Sequence, residues 1–163
     1  MQRFDILADV SAIITQTDEF GAPQWSKNSG PVTMTEGTGN GQANKFCHKK
    51  STLADGASET WDIRGGLPAD DPFGNAVSFT TVKALIFRAA STNTTNLTFG
   101  NGTLAFVGPF GAATHTLQLQ PGGAIVLFAP NTGWSVGAEA TDDVKVANAA
   151  GASATYTMTI IGL

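Results

Sequence analysis

Charge is what this sequence has least of. Asp, Glu, Lys and Arg make up 13% of its 163 residues, about half the usual quarter. There are two histidines and one cysteine. A lone cysteine excludes an intramolecular disulfide, and one cysteine with two histidines falls short of the spaced pairs that a zinc site needs. No apolar run approaches the roughly 18 residues that cross a membrane as a helix, so no membrane partner is expected. The opening Met1-Gln2-Arg3-Phe4-Asp5 has no apolar stretch of the kind a secretory signal carries, so secretion by that route is not expected. A cationic surplus is also missing. The net charge of −4 and a pI near 4.9 argue against a nucleic-acid partner, whose phosphates call for a basic surface.

The parts of a catalytic site are equally scarce. Cys47 and His48 are neighbours, so on a strand they point to opposite faces and cannot pair. No Gly-x-Ser-x-Gly elbow occurs. His115 alternates with Leu117 and Leu119, which places it at a strand end on an inner face with backbone partners. Glu59 is the one glutamate at a plausible sheet position, and glycoside hydrolysis needs two facing carboxylates. Asp70-Asp71 and Asp142-Asp143 read as turn and strand-edge residues rather than as part of a calcium shell of six to eight oxygens. Gly37-Thr38-Gly39-Asn40-Gly41 lacks the Lys-Thr pair and following helix of a phosphate loop. The sequence therefore assigns no catalytic residue, no cofactor site and no metal site, and an enzyme is not expected. Lys45, His48, Lys49 and Lys50 form the one basic cluster. It reads as a solvated strand edge, where lysine blocks unwanted pairing, or as the complement of an acidic partner patch.

Gly (19), Ala (23) and Thr (21) are abundant, and 42% of residues are hydrophobic. That fraction is too high for a disordered chain. A chain of this size buries about two thirds of its unfolded surface, so residues 1–163 are expected to form one domain. The dominant pattern is period-2 alternation, the mark of strands with one wet face. Phe4, Ile6, Ala8, Val10, Ala12 and Ile14 alternate in a first strand. Residues 18–42 lose the pattern and read as an extended loop or arm. Strands follow at Lys45–Leu53 and, after the Asp55-Gly56 turn, at Ser58–Ile63. Val82–Phe87 is apolar on both faces except for Lys83, which suggests a covered central strand. Asn96–Phe99 ends at Gly100-Asn101-Gly102, and Thr103–Val107 is expected to pair back onto it. Strands then run near His115–Leu119, at Ala124–Phe128 (buried in aspect) and from Trp134. The clearest hairpin joins Val144–Val146 to Tyr156–Ile160. Eight to ten strands with frequent turns predict an antiparallel all-β sandwich, favoured as an eight-stranded jelly roll.

The shortage of charge is concentrated. From Ala89 to Ala138 there is no Asp, Glu, Lys or Arg. Either a partner covers this stretch, or its surface is polar through Thr, Asn and Gln alone. Large apolar residues in irregular or charge-poor positions are the interface candidates: Trp25, Met34, Phe99, Phe106, Phe110 and Trp134. Trp25 and Met34 either pin the 18–42 segment to its own core or dock onto a neighbour. Trp25, Trp61 and Trp134 also offer rings for sugar stacking, with core packing as the alternative.

The second half resembles small virion proteins of tailed bacteriophages. The resemblance rests on Val82-Lys83-Ala84-Leu85-Ile86-Phe87-Arg88-Ala89-Ala90-Ser91 leading to Leu97-Thr98-Phe99-Gly100. It continues through Pro121-Gly122-Gly123, Ala129-Pro130 and Gly133-Trp134-Ser135-Val136. It ends on Asp143-Val144-Lys145-Val146-Ala147-Asn148 and Ala154-Thr155-Tyr156-Thr157-Met158-Thr159-Ile160-Ile161-Gly162. These motifs mark strands and turns and cover about Trp61 to Leu163. The resemblance implies a jelly-roll-like sandwich on the capsid exterior, made in the host cytoplasm and acting as a head decoration or cement protein. It implies a homo-oligomer, a trimer by preference, with the major capsid protein or another virion protein as partner. The alternatives are a tail- or fibre-associated or other minor virion protein, and a carbohydrate-binding adhesin.

Overall fold

The computed structural model describes residues 3–6, 32–65, 67, 76–138 and 141–163. In chain order its strands are β1 (Arg3–Ile6), β2 (Val32–Glu36), β3 (Gln42–Ala43), β4 (Lys45–Leu53), β5 (Ser58–Asp62) and β6 (Thr81–Ala89). Then come β7 (Leu97–Gly100), β8 (Thr116–Leu119), β9 (Ala124–Phe128), β10 (Trp134–Ser135), β11 (Asp143–Asn148) and β12 (Ala154–Gly162). Among the described residues there is no helix. The protein is an all-β sandwich whose two main sheets are antiparallel; β2 and β3 pair in parallel.

One sheet runs β4-β12-β6, with β9 and β10 both pairing with β6 on its far side; the other runs β5-β11-β7-β8. Alternation puts Tyr156, Met158 and Ile160 of β12 and Leu85 and Phe87 of β6 on one inner face. Leu97 and Phe99 of β7 and Val144 and Val146 of β11 come from the other, and all of these are buried in one cluster. The sheets interlock there: the Phe87 and Phe99 rings are 3.8 Å apart between centroids, and Tyr156 meets Phe99 edge-on at 5.8 Å. Burying such side chains contributes about 1.5–3 kcal/mol each, which makes this interface the main source of stability.

A small third sheet, β1-β2-β3, lies against the outside of the five-stranded sheet. Met34 and Ala43 pack there with Ala84 and Ile161, flanked by Phe46 and Phe128. The first half of β6 is therefore covered on both sides, as its two-faced apolarity suggests. The position that breaks the pattern is the structural key. Ile161 pairs with Ala84 but Gly162 pairs with Val82, so Lys83 is the extra residue of a bulge. Gly162 makes the bulge possible, because a Cβ there would sit on the Thr81 carbonyl oxygen.

Several expectations are revised. The first strand is described over Arg3–Ile6 only; the rest of the stretch to Ile14 lies outside the described residues. Of the 18–42 segment, residues 18–31 also lie outside them, but Val32–Glu36 is strand rather than loop, paired with β1. Its alternation of Thr33 and Thr35 with Met34 is short but β-compatible. Thr103–Val107 does not return along β7. The partner of β7 is β8, through Leu97↔Leu119 and Phe99↔Leu117, and Ala105 makes a single parallel bridge to Asp143. The strand β9 is half-exposed rather than buried, because it lies at a sheet edge. His115 is exposed rather than inward, with its Nδ1 2.8 Å from the Phe110 carbonyl oxygen. The final pair is not a hairpin: β11 belongs to one sheet and β12 to the other. Both have one apolar face, and those faces meet across the core instead of side by side.

Candidate functional site

The charge-free stretch from Ala89 to Ala138 folds into one flank of the sandwich. It supplies β7 and β8 at one end of the four-stranded sheet, and β9 and β10 beyond β6 in the other. A tight turn, with Gly123 N–H donating to the Gln120 carbonyl at 2.9 Å, joins the edge strands β8 and β9 and sets them on the same side. Both edges are therefore free of charged side chains. The opposite flank differs. Its edge strand β4 carries Lys45, Lys49 and Lys50, and its edge strand β5 carries Glu59 and Asp62. Charges on an edge discourage pairing with another chain, so one flank is guarded and the other is not. Among the described residues the two exposed large hydrophobics, Leu104 at 40% and Val126 at 41%, both lie within the unguarded stretch.

Backbone and core contacts hold this flank rigid. The loop between β7 and β8 is tied to the start of β11: Asp142 and Asp143 N–H both donate to the Leu104 carbonyl, at 2.9 and 2.8 Å, and Phe106 N–H donates to Asp143 O at 2.8 Å. The Asp143 carboxylate accepts from Leu104 N–H at 3.3 Å. Burial, with Asp142 and Asp62 nearby, pushes the Asp143 carboxyl above the usual range, against that hydrogen bond. Trp134 packs so closely over Gly108 that a Cβ there would come within 2.5 Å of the Trp134 Cβ.

Beneath the flank sits Lys83, only 2% exposed. Its ammonium donates to three backbone carbonyls: Asn131 at 2.7 Å, Gly39 at 2.8 Å and Pro130 at 3.3 Å. Burial lowers its pKa. The bulge swings this side chain out of the strand alternation, and it ties the β2–β3 turn to the β9–β10 turn. The break in alternation from Val82 to Leu85, a step of three, is the sequence signal for it.

On the guarded flank, the Tyr156 hydroxyl donates to Glu59 Oε1 at 2.6 Å and accepts from Trp61 Nε1 at 2.6 Å. Lys49 stands 5.0 Å over the Trp61 ring. Burial first, then the bond to Glu59, raises the Tyr156 pKa far above its ordinary value. The phenol keeps its proton at neutral pH, so this network fastens β5 to β12 rather than moving protons. Among the described residues, no group of three or more His, Cys, Asp or Glu side chains could hold a metal ion.

The interface candidates read from sequence do not gather on the unguarded surface. Phe99, Phe106 and Phe110 are buried in the main core, and Met34 is buried with the small sheet. These four are core residues of this chain, because their contacts are already made within it. Trp134 is half-buried against the same core. Trp25 lies outside the described residues. What sequence reasoning missed is that β8 and β9 are edge strands of the two sheets on one flank, because periodicity does not report which strands lie at an edge. The basic cluster is also divided by alternation. Lys49 faces Trp61, and Lys45 donates to the Ser78 carbonyl at 2.5 Å. His48 and Lys50 instead line the outer face of the five-stranded sheet, beside Arg88. The chain matches no protein-family model and no curated protein.

Proposed function

We propose that this protein is a structural component of a tailed-bacteriophage virion, a decoration protein that binds and stabilises the assembled head. The observation that carries the reading is the uncharged flank, with two adjacent strand edges and no charged residue between Ala89 and Ala138. A protein that remains alone in solution distributes charge over such a surface; a surface that is covered on assembly has no such need. The sheet orders β4-β12-β6-β9 and β5-β11-β7-β8, with most chain connections crossing between the sheets, support the jelly-roll reading of the sandwich and thus the resemblance behind this proposal.

The mechanism is linkage. A protein that binds the lattice but not the free subunits adds its binding free energy to the cost of disassembly, and repeated copies multiply the effect. Self-association into a trimer belongs to the same proposal. Co-sedimentation with separately purified heads and tails tests it. Saturable binding to heads, with increased resistance of the heads to heat, supports decoration. Binding to tails alone refutes it and favours the tail-associated alternative.

A further inference from the structure

The outer face of the five-stranded sheet carries a feature that the head-binding reading does not use. Antiparallel pairing aligns its outward side chains in rows. The row Phe46–Ile161–Ala84–Phe128 lies under the small sheet. The next two rows are open: His48–Thr159–Ile86–Val126 and Lys50–Thr157–Arg88–Ala124. With Thr52 and Thr155 beyond them, they border a concavity of ≈ 760 Å3. None of the described residues lining it is acidic. In a chain of net charge −4, three of the basic side chains converge here with no carboxylate among the described lining residues.

The details favour one kind of ligand. Lys50 and Arg88 straddle Thr157 and are two strand spacings apart, roughly 10 Å. That separation lets them meet two anionic groups on one extended chain. The surrounding hydroxyls are held in place: Thr52 and Thr155 hydrogen-bond to each other at 2.8 Å, and His48 Nδ1 lies 2.8 Å from the Thr159 hydroxyl. A surface that only needed solvation would mix both signs of charge. A protein-binding surface would centre on aromatic or large aliphatic anchors, and among the described residues the two open rows of this face offer only Ile86 and Val126. Hydroxyl rows flanked by cations match a polymer of hydroxyls and anions.

We propose that this face binds an acidic polysaccharide, a sugar chain bearing carboxylates or sulfates. Lys50 and Arg88 take the acidic groups, and the threonines exchange hydrogen bonds with the sugar hydroxyls. The ligand-binding groups, Lys50, Arg88 and the threonines of β4 and β12, lie outside the uncharged edges, and the inference stands whether or not the protein decorates a head.

Calorimetric titration with polygalacturonate and dextran sulfate tests it, with uncharged dextran and polyglutamate as controls. Both acidic polysaccharides bind, and affinity falls as salt rises, because the contacts are solvent-exposed charges. The double substitution Lys50→Gln with Arg88→Gln lowers affinity roughly tenfold or more, as loss of charge-assisted contacts requires. Lys145→Gln, on the other sheet, leaves affinity unchanged. Unaltered thermal unfolding of both variants confirms that the fold is retained. Four results overturn the proposal: no binding of either acidic polysaccharide, equal binding of dextran, equal binding of polyglutamate, or full affinity in the double variant. Equal polyglutamate binding would assign the face to an acidic protein segment instead.

Discussion

Replacing Lys83 by Met removes the one cation that joins the two turns under the uncharged flank. Hydrogen bonds from a charged group contribute about 1.5–3 kcal/mol each. The contacts to Asn131 and Gly39, at 2.7 and 2.8 Å, are short enough to count fully. The third, at 3.3 Å, goes to the Pro130 carbonyl, which also accepts from Gly41 N–H at 2.9 Å. Two strong bonds give about 3–6 kcal/mol gross. Against this, methionine retains most of the stem packing and relieves the desolvation of a buried ammonium, a cost that often cancels much of such gains. Here the acceptors are backbone carbonyls, which no substitution exchanges for apolar groups. The net loss is about 2–3 kcal/mol, or roughly 4–12 °C in Tm for a chain of this size. The pH dependence has a definite sign. Burial lowers the Lys83 pKa from 10.5, so the unfolded chain holds that proton more tightly. Stability of the wild type relative to the variant therefore rises as pH climbs through the folded-state value, and levels off above 10.5. Urea unfolding followed by tryptophan fluorescence measures both. A variant as stable as the wild type at neutral pH, with the same slope in urea, would refute the reasoning.

Three further substitutions probe other parts of the fold. Gly133 has φ of +70°, and a Cβ there would meet the Thr81 Cγ2 at 2.5 Å and the Val82 carbonyl oxygen at 2.8 Å. Gly133→Ala therefore costs about 2–4 kcal/mol from strain and overpacking, seen as a lower urea midpoint. Asn148 donates to the Ala54 and Ala152 carbonyls and accepts from the Thr95 hydroxyl. Asn148→Ala loses all three and lowers stability by about 2–3 kcal/mol in the same assay. Asp143 has a raised pKa, so its contribution is full below the unfolded value and is lost as pH rises through the folded one. Asp143→Asn consequently unfolds at a higher temperature than the wild type at neutral pH, and the gap closes below the ordinary aspartate value of 3.8. A gap that widens on acidification would contradict the assignment.

The legible part of the fold is the part that alternation controls. The strands β4, β5 and β12 follow from runs such as Tyr156, Met158 and Ile160, because a half-buried strand must repeat every second residue. Alternation reports which face is buried and is silent about the partner. The strands β11 and β12 therefore read as a hairpin although they lie in different sheets. The same limit paired Thr103–Val107 with β7, when Phe106 enters the core from a loop. Aromatic size did not single out surface residues, since Phe99 and Phe106 are plugs of this chain's own core. The distribution of charge carried different information. Its absence over fifty residues marked a segment, and the topology turned that segment into one flank. Arg88 could not be grouped with His48 and Lys50 from sequence, because only the register across β12 sets them on one face.

The central claim is that the uncharged edges are where this protein binds the head. The direct measurement is sedimentation of the purified protein with expanded empty heads, comparing the wild type with a variant carrying Gln118→Lys and Val126→Lys. Those substitutions give β8 and β9 the lysines that β4 already has, at exposed positions that leave the core intact. The account predicts saturable binding by the wild type and its loss in the variant, with both proteins equally folded. Equal binding by the two, or none by the wild type, would contradict it.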